Sequence, residues 1–231
     1  MSTNLAQQLR EGTTKAHSMA ENVSFVKSFL GGVVDKKTYR RLVANLFFIY
    51  SALEEEIEKN YHNCVIKAIH FPQLKRKVSL QKDLEYYYGL NWKEQIYPSL
   101  ATQTYIKRIR NIGEYQPELL VAHAYTRYMG DLSGGQILKR IAQTAMNLSS
   151  SNGTAFYNFQ DIEDDKKFKT IYREALDSAP IDQLQVKAII AEANLAFNLN
   201  MKVFQELNSN FIKIMGMLLL SAVTSLRRKF M

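Results

Sequence analysis

Chain breakers are the scarcest feature of this sequence: its 231 residues include only ten glycines and four prolines. A β-sandwich or barrel needs turn residues every ~8–12 positions, far more often than these supply. Between the breakers run stretches rich in Leu, Lys, Gln, Glu and Ala, residues that lose little on entering a helix. The expectation is an all-α chain, a multi-helix bundle forming one domain over residues 1–231. A composition 46% hydrophobic and 23% charged can build a core, which excludes disordered, collagen-like and polytopic membrane chains.

Thirty Lys and Arg against 22 Asp and Glu give a net charge of +8, which favours acidic partners or anionic ligands. Nucleic acid would call for a clustered basic stripe, whereas the basic residues here are scattered among acids. The single cysteine, Cys64, cannot close a disulfide within the chain, which suits a reducing compartment. Met1 to Glu11 is too polar for a signal peptide, and no long Arg/Ser-rich transit segment opens the chain. The longest apolar run, Ile214 to Leu226, lies between Lys213 and Arg227 and is shorter than the ~20 residues that cross a bilayer. It reads as a terminal helix, with no transmembrane anchor.

Asn4 followed by Gln7 has capping-box spacing and predicts a helix to about Glu21 that carries His17. Asp35 is placed to cap a longer helix reaching Asn60, in which Leu42, Leu46, Ile49 and Leu53 recur at helical spacing while Arg40, Arg41 and Glu54 to Glu56 stay polar. Tyr61 to Val78 lacks periodicity and holds Pro72, so it reads as a connector with at most a short helix. Ser79 opens a helical piece that stops near Gly89. Pro98 and Pro117 mark two further starts, one helix after Ser99 and one from Glu118 to about Met146. Ser149 to Gly153 reads as a polar loop, and Asp161 and Asp182 as N-caps. The last helices are expected at roughly 163–177, 183–208 and 210–228.

The helix from Glu118 contains Tyr125-Thr126-Arg127-Tyr128-Met129-Gly130-Asp131-Leu132-Ser133-Gly134-Gly135-Gln136. A glycine inside a helix costs on the order of 1 kcal/mol against alanine, so three call for a compensating gain. Gly130 and Gly134 share a face, where bare backbone can meet either a flat ligand or a closely packed helix; spacing alone leaves both open. The run is similar to the glycine-flanked serine of a protease, but Leu132 interrupts it and those enzymes are β-rich. Arg127 and Asp131, four apart, can meet beside the glycines, as a plain surface ion pair or as organisers of water and protons. His17 has Glu21 one turn later, a carboxylate placed to orient an imidazole ligand, although a lone helical histidine is more often packed or solvated. His62, His70 and His123 have no zinc-site spacing with Cys64 and are read as structural.

Thr13-Thr14-Lys15-Ala16-His17 with Ala20-Glu21-Asn22, the Tyr125 to Gln136 segment, the pairs Phe168-Lys169 and Tyr172-Arg173, and Phe197 to Phe204 together resemble haem oxygenase. The likeness runs from about Leu5 to Leu207, with the motifs in the same order and spacing. It is nearest to the soluble, ferredoxin-dependent members of cyanobacteria and algal plastids.

This resemblance implies haem b as both substrate and cofactor, held between the first helix and the glycine helix, with His17 ligating its iron and Glu21 beside it. Gly130 and Gly134 would admit the porphyrin and dioxygen, with Thr126 and Ser133 on the same stretch, and the helix could bend at its glycines for entry and release. Asp131 would hold a distal water network with Arg127, Tyr50 and Asn200 that delivers a proton to bound oxygen, so that the ring is attacked at its α-meso carbon. The products would be biliverdin IXα, carbon monoxide and ferrous iron. Arg10, Lys15, Tyr125, Lys169 and Arg173 correspond to the family's propionate-binding group, and Phe197, Asn200 and Phe204 to a pocket wall. Arg10 stands where many members carry lysine, and Met129 where leucine is usual.

No flavin or nicotinamide fingerprint is present, so electrons must come from outside. The resemblance implies reduced, acidic ferredoxin as donor, a monomer, and a plastid stroma or cyanobacterial cytoplasm where bilin pigments are made. Two rivals keep a helical scaffold: a haem-binding protein that stores or senses haem, and a thiaminase-like relative, which would need a catalytic cysteine where only Cys64 in a connector is offered.

Overall fold

The computed structural model describes residues 3–148 and 152–229, with side chains as far as residue 207. Its helices are α1 (Leu5–Gly12), α2 (Thr14–Glu21), α3 (Ser24–Leu30), α4 (Lys36–Lys59), α5 (Cys64–Ala68), α6 (Lys77–Tyr88), α7 (Trp92–Gln95), α8 (Leu100–Tyr115), α9 (Leu120–Ala124), α10 (Gly130–Ala145), α11 (Asp165–Ser178) and α12 (Gln183–Lys229). No strand occurs among the described residues, and the fold is all-α.

The long helix α4 is the centre of the bundle because it is apolar on most of its circumference: Leu42, Leu46, Ile49 and Leu53 are all buried against α6, α8, α9 and α12. Its start is fixed by Asp35, whose side chain accepts the Thr38 N–H at 2.8 Å. Glu54 and Glu56, expected on the solvated face with Glu55, are buried. Glu54 Oε1 caps the start of α6 by accepting the N–H groups of Arg76 at 2.6 Å and Lys77 at 3.2 Å, which also moves that start two residues ahead of Ser79. Glu56 pairs with Lys59 at 2.7 Å. Ser99 caps α8 as its sequence implies. Within the connector, Asn63 caps the short α5 and Pro72 opens a 3₁₀ turn.

Four expectations are corrected. The opening helix is divided at Thr13, where Gly12 comes so close to α12 that a Cβ would lie 2.6 Å from Ile190, and the Thr13 hydroxyl donates back to the Leu9 carbonyl at 2.7 Å. Asn4 forms no capping box: its backbone is left-handed and Gln7 reaches Glu11 instead. The cap of α11 is Asp164, accepting from Lys166 and Lys167 at 2.8 and 3.0 Å, not Asp161. Asp182 does cap α12, but that helix continues through residue 209 as one element where two were expected. The predicted Ser149 to Gly153 loop lies partly outside the described residues, as do the side chains of the run from Ile214 to Leu226. Among the described residues no helix is long and apolar enough to cross a membrane.

Candidate active site

The expected helix from Glu118 to Met146 is helical throughout, but it changes pitch. A 3₁₀ turn at Pro117–Leu119 leads into α9, then Tyr125–Met129 forms a π turn, and α10 begins at Gly130. A π turn has i→i+5 bonds and is wider than an α turn. Arg127 and Asp131 do not pair directly, contrary to the four-residue spacing argument. Tyr50, reaching up from α4, stands between them: its hydroxyl accepts from Arg127 Nε at 3.0 Å and donates to the Asp131 carboxylate.

This irregular helix borders a cleft of about 960 Å³, a volume that includes its open side. His17 and Glu21 from α2, Phe25 and Phe29 from α3, Leu42 and Leu46 from α4, and Phe197, Asn200 and Phe204 from α12 form its other walls. Thr126, Arg127, Gly130 and Asp131 line it from the irregular helix. A Cβ built at Gly130 or Gly134 would meet nothing within 4 Å, whereas one at Gly135 would touch Tyr157 at 3.4 Å. Close helix packing therefore does not account for the first two glycines. Their helical cost is spent on open space beside the cleft.

Beneath that surface lies a charged network. Arg127 is buried, donates through Nη1 to Asn200 Oδ1 and stacks over the Tyr50 ring at 5.0 Å. Burial works against its charge, yet Tyr50 and Asp131 hold its pKa above the ordinary value. Asp131 is shifted the other way for a carboxylate: burial raises its pKa, opposed by the Arg127 charge and the Tyr50 hydrogen bond. Burial also pushes the Tyr50 hydroxyl far up, keeping it a proton donor at any physiological pH.

On the opposite wall His17 is exposed, its Nδ1 lies 3.7 Å from Glu21 Oε1, and its ring meets Phe197 edge-on at 5.7 Å. Arg10 and His17 are on separate helices, α1 and α2. Burial raises the pKa of the Tyr125 hydroxyl, opposed by the charges of Arg173 and Arg10. Ala6 N–H donates to Asp177 Oδ1 at 2.8 Å, tying α1 to α11 and so Arg10 to Arg173. Lys169 shares the Arg173 face of α11; Arg10, Lys15, Tyr125, Ser133, Gly134, Lys169 and Arg173 are not part of the cleft lining.

Sequence reasoning did not anticipate α3, although Phe25 and Phe29 stand four apart, and Phe25 stacks on Phe204 at 5.8 Å. It also missed Phe156 and Tyr157 at the cleft. These arrive on a loop that Asp83 holds by accepting the N–H groups of Ala155 and Phe156 at 2.7 and 2.8 Å, and that Arg76 grips through the carbonyls of Phe156 and Asn158 at 3.2 and 2.6 Å.

These residues fit an iron porphyrin: apolar and aromatic walls, a glycine at 130 facing open space, and one exposed imidazole with a carboxylate 3.7 Å from it. A family model described as "Heme oxygenase" matches residues 3–206. The chain is 64% identical to a "Heme oxygenase" of Porphyra purpurea over 230 residues, covering 100% of this chain and 96% of that one. It is 57% identical to "Heme oxygenase 1" of Nostoc sp. over 229 residues, covering 99% and 96%. Heme oxygenase-1 from the cyanobacterium Synechocystis sp. PCC6803, solved in complex with heme, superposes with a TM-score of 0.91 at 56% identity, over 96% of this chain and 100% of that chain. Fold, cleft and full-length identity agree, and the chain belongs to the haem oxygenase family of enzymes.

Proposed function

We propose that this enzyme opens haem at the α-meso carbon, giving biliverdin IXα, carbon monoxide and ferrous iron, with O₂ as oxidant and ferredoxin as electron donor. The observation that carries the reading is the pairing, across one cleft, of an exposed imidazole at His17 with Gly130 of the irregular helix, where a Cβ would meet nothing within 4 Å. Bound there, haem supplies the iron that binds dioxygen and the ring that is oxidised. His17 is the iron ligand, and Glu21, 3.7 Å from Nδ1, orients the imidazole. Phe197 and Phe204 hold the ring plane and keep bulk water out.

Asp131 is the residue that manages protons. Its Oδ2 takes the Tyr50 hydrogen bond, leaving Oδ1 to hold a water in the cleft. Its pKa, raised by burial, brings it nearer to the range in which a carboxylic acid can give up and regain a proton. Arg127 and Asn200 hold Tyr50 and Asp131 in place, while Thr126, Gly130, Ser133 and Gly134 give the distal surface its shape. Arg10, Lys15, Tyr125, Lys169 and Arg173 provide charge and hydrogen bonds for the two propionates, which fixes the rotation of the ring and with it the carbon attacked.

The +8 charge favours docking of an acidic donor, and relatives from algae and cyanobacteria support a plastid stroma or cyanobacterial cytoplasm as its place, where the enzyme works as a monomer and biliverdin feeds bilin pigments. The decisive test mixes the chain with hemin, ferredoxin, its reductase and NADPH in air. Loss of the Soret band with rising bilin absorption is expected, together with strong suppression by salt. A Soret band that persists would leave a haem carrier and defeat the enzymatic reading.

A further inference from the structure

The 3₁₀ turn Ala155–Tyr157, which brings Phe156 and Tyr157 to the cleft, is held along one face of α6. Arg76 at the start of α6, Asp83 and Tyr87 stand seven and four residues apart, the spacing of a single helix face. The Tyr87 hydroxyl donates to the Gly153 carbonyl at 3.0 Å. Asp83 accepts from Ala155 N–H through Oδ1 and from Phe156 N–H through Oδ2. Arg76 donates to the Phe156 and Asn158 carbonyls. Gly153 has φ +77°, and a Cβ there would lie 2.6 Å from the Tyr87 oxygen, so only glycine lets the chain come this close. None of Arg76, Asp83 and Tyr87 lines the cleft.

Asp83 is completely buried, and among the described residues no lysine or arginine forms an ion pair with it. A buried carboxylate without a cation costs stability that an apolar side chain in the same place would not. We propose that Asp83 is a positioning residue: through the Ala155 and Phe156 amides it fixes where the Phe156 and Tyr157 rings stand in the cleft wall, and so the seat of the planar ligand. Two N–H groups from consecutive residues, each taken by its own oxygen, leave the turn no freedom to rotate about either bond. The hold reaches further than the wall. Phe156 sets the edge of its ring against the Tyr50 ring at 5.4 Å, and Gln136 on α10 donates to the Tyr157 carbonyl at 2.9 Å. A turn that slips therefore moves the support of Tyr50 as well as the wall.

Asp83→Asn is the isosteric test. The new side chain offers one oxygen and one NH₂, so one of the two backbone N–H groups faces a donor. The seat of the ligand rests on the proposed function, but the state of the turn does not, so two readouts are taken. In the haem-free, ¹⁵N-labelled chain, one of the Ala155 and Phe156 amides should exchange with solvent roughly tenfold faster than in the parent, with shifted Phe156 and Tyr50 ring resonances. Zinc protoporphyrin, a planar analogue that is not turned over, should bind several-fold more weakly. Ser99→Ala, which removes the cap of α8 outside the cleft lining, should leave both readouts unchanged. A folded Asp83→Asn chain with both amides in their parental state would overturn the proposal. So would an unchanged zinc protoporphyrin affinity, or an equal loss of affinity in Ser99→Ala. A parent that binds no zinc protoporphyrin would instead defeat the haem reading of the cleft, and the amides and rings alone would then uphold or overturn the role of Asp83. Should Asp83→Asn not fold, Tyr87→Phe takes its place by removing only the tie to Gly153. The same resonances should then shift, with a smaller loss of affinity, and no change in either would overturn the proposal.

Discussion

Tyr50 on α4 gives its hydroxyl proton to the carboxylate of Asp131 on α10 while accepting from Arg127, so one phenol joins two charged side chains. Tyr50→Phe removes that joint and nothing else. Arg127 Nε then lacks an acceptor in a buried site, at a cost of ~1–3 kcal/mol. Asp131 loses one of the interactions that hold its pKa down, so its carboxyl should titrate higher still. Denaturant midpoints and a carbon-detected NMR titration of Asp131 measure the two effects. An unchanged midpoint together with an unmoved Asp131 titration would remove Tyr50 from the network.

Gly134→Ala should separate stability from binding. The backbone at 134 is helical and a Cβ there meets no atom within 4 Å, so the haem-free protein should gain up to ~1 kcal/mol. If the open space beside this glycine belongs to haem, the same methyl group weakens haem binding. A higher melting temperature of the haem-free chain with a raised haem Kd is the expected pair of results. At Gly12 the change behaves differently, because a Cβ would lie 2.6 Å from Ile190, so Gly12→Ala should destabilise the chain outright.

Element types were legible where the signal is local. Asp35, Ser99 and Asp182 cap the helices that their positions imply, and Leu42, Leu46, Ile49 and Leu53 face the core as their spacing requires. What failed depends on neighbours far along the chain. The break at Thr13 follows from the approach of Ile190 to Gly12, and Glu54 is buried because α6 begins beside it. Tyr50 comes from α4, which spacing within one helix cannot show, so the Arg127–Asp131 spacing implies direct contact where a third residue joins them. The hold of Asp83 on Ala155 and Phe156 likewise joins α6 to a distant turn.

His17→Ala tests the proximal assignment without disturbing the fold. The His17 side chain is 59% exposed, with Glu21 and the edge of Phe197 beside it. Loss of such a side chain should change the unfolding free energy of the haem-free protein by no more than ~0.5 kcal/mol. Haem affinity and the Soret position should change strongly, and added imidazole should restore the parental spectrum by filling the vacated ligand position. A variant whose haem spectrum matches the parent would place the iron elsewhere.

Acid stability should depend on two buried carboxyls acting in opposite directions. Burial raises the pKa of Asp83 to about 6 from 3.8, so the folded chain takes up this proton before the unfolded chain does, and lowering the pH from 6 towards 4 stabilises the fold. Glu192 is opposed by burial too, but hydrogen bonds from Arg108 and His123 bring it down to about 2 from 4.5. Its contribution is complete above pH 4.5 and disappears as the pH falls towards 2, a loss on the order of 3 kcal/mol at ~1.4 kcal/mol per unit. His123, held below its ordinary 6.5 by burial, also costs stability as the pH falls, because the unfolded chain protonates it first. Between pH 6 and 4.5 Asp83 therefore offsets His123, and below 4.5 Glu192 dominates. Urea unfolding from pH 7 to 3 should give a shallow profile that steepens below 4.5. In Glu192→Gln the steep limb should flatten, while in Asp83→Asn the decline should begin already near 6.5. Parallel profiles for the parent and Glu192→Gln below pH 4.5 would show that Glu192 is not held ionised by Arg108 and His123.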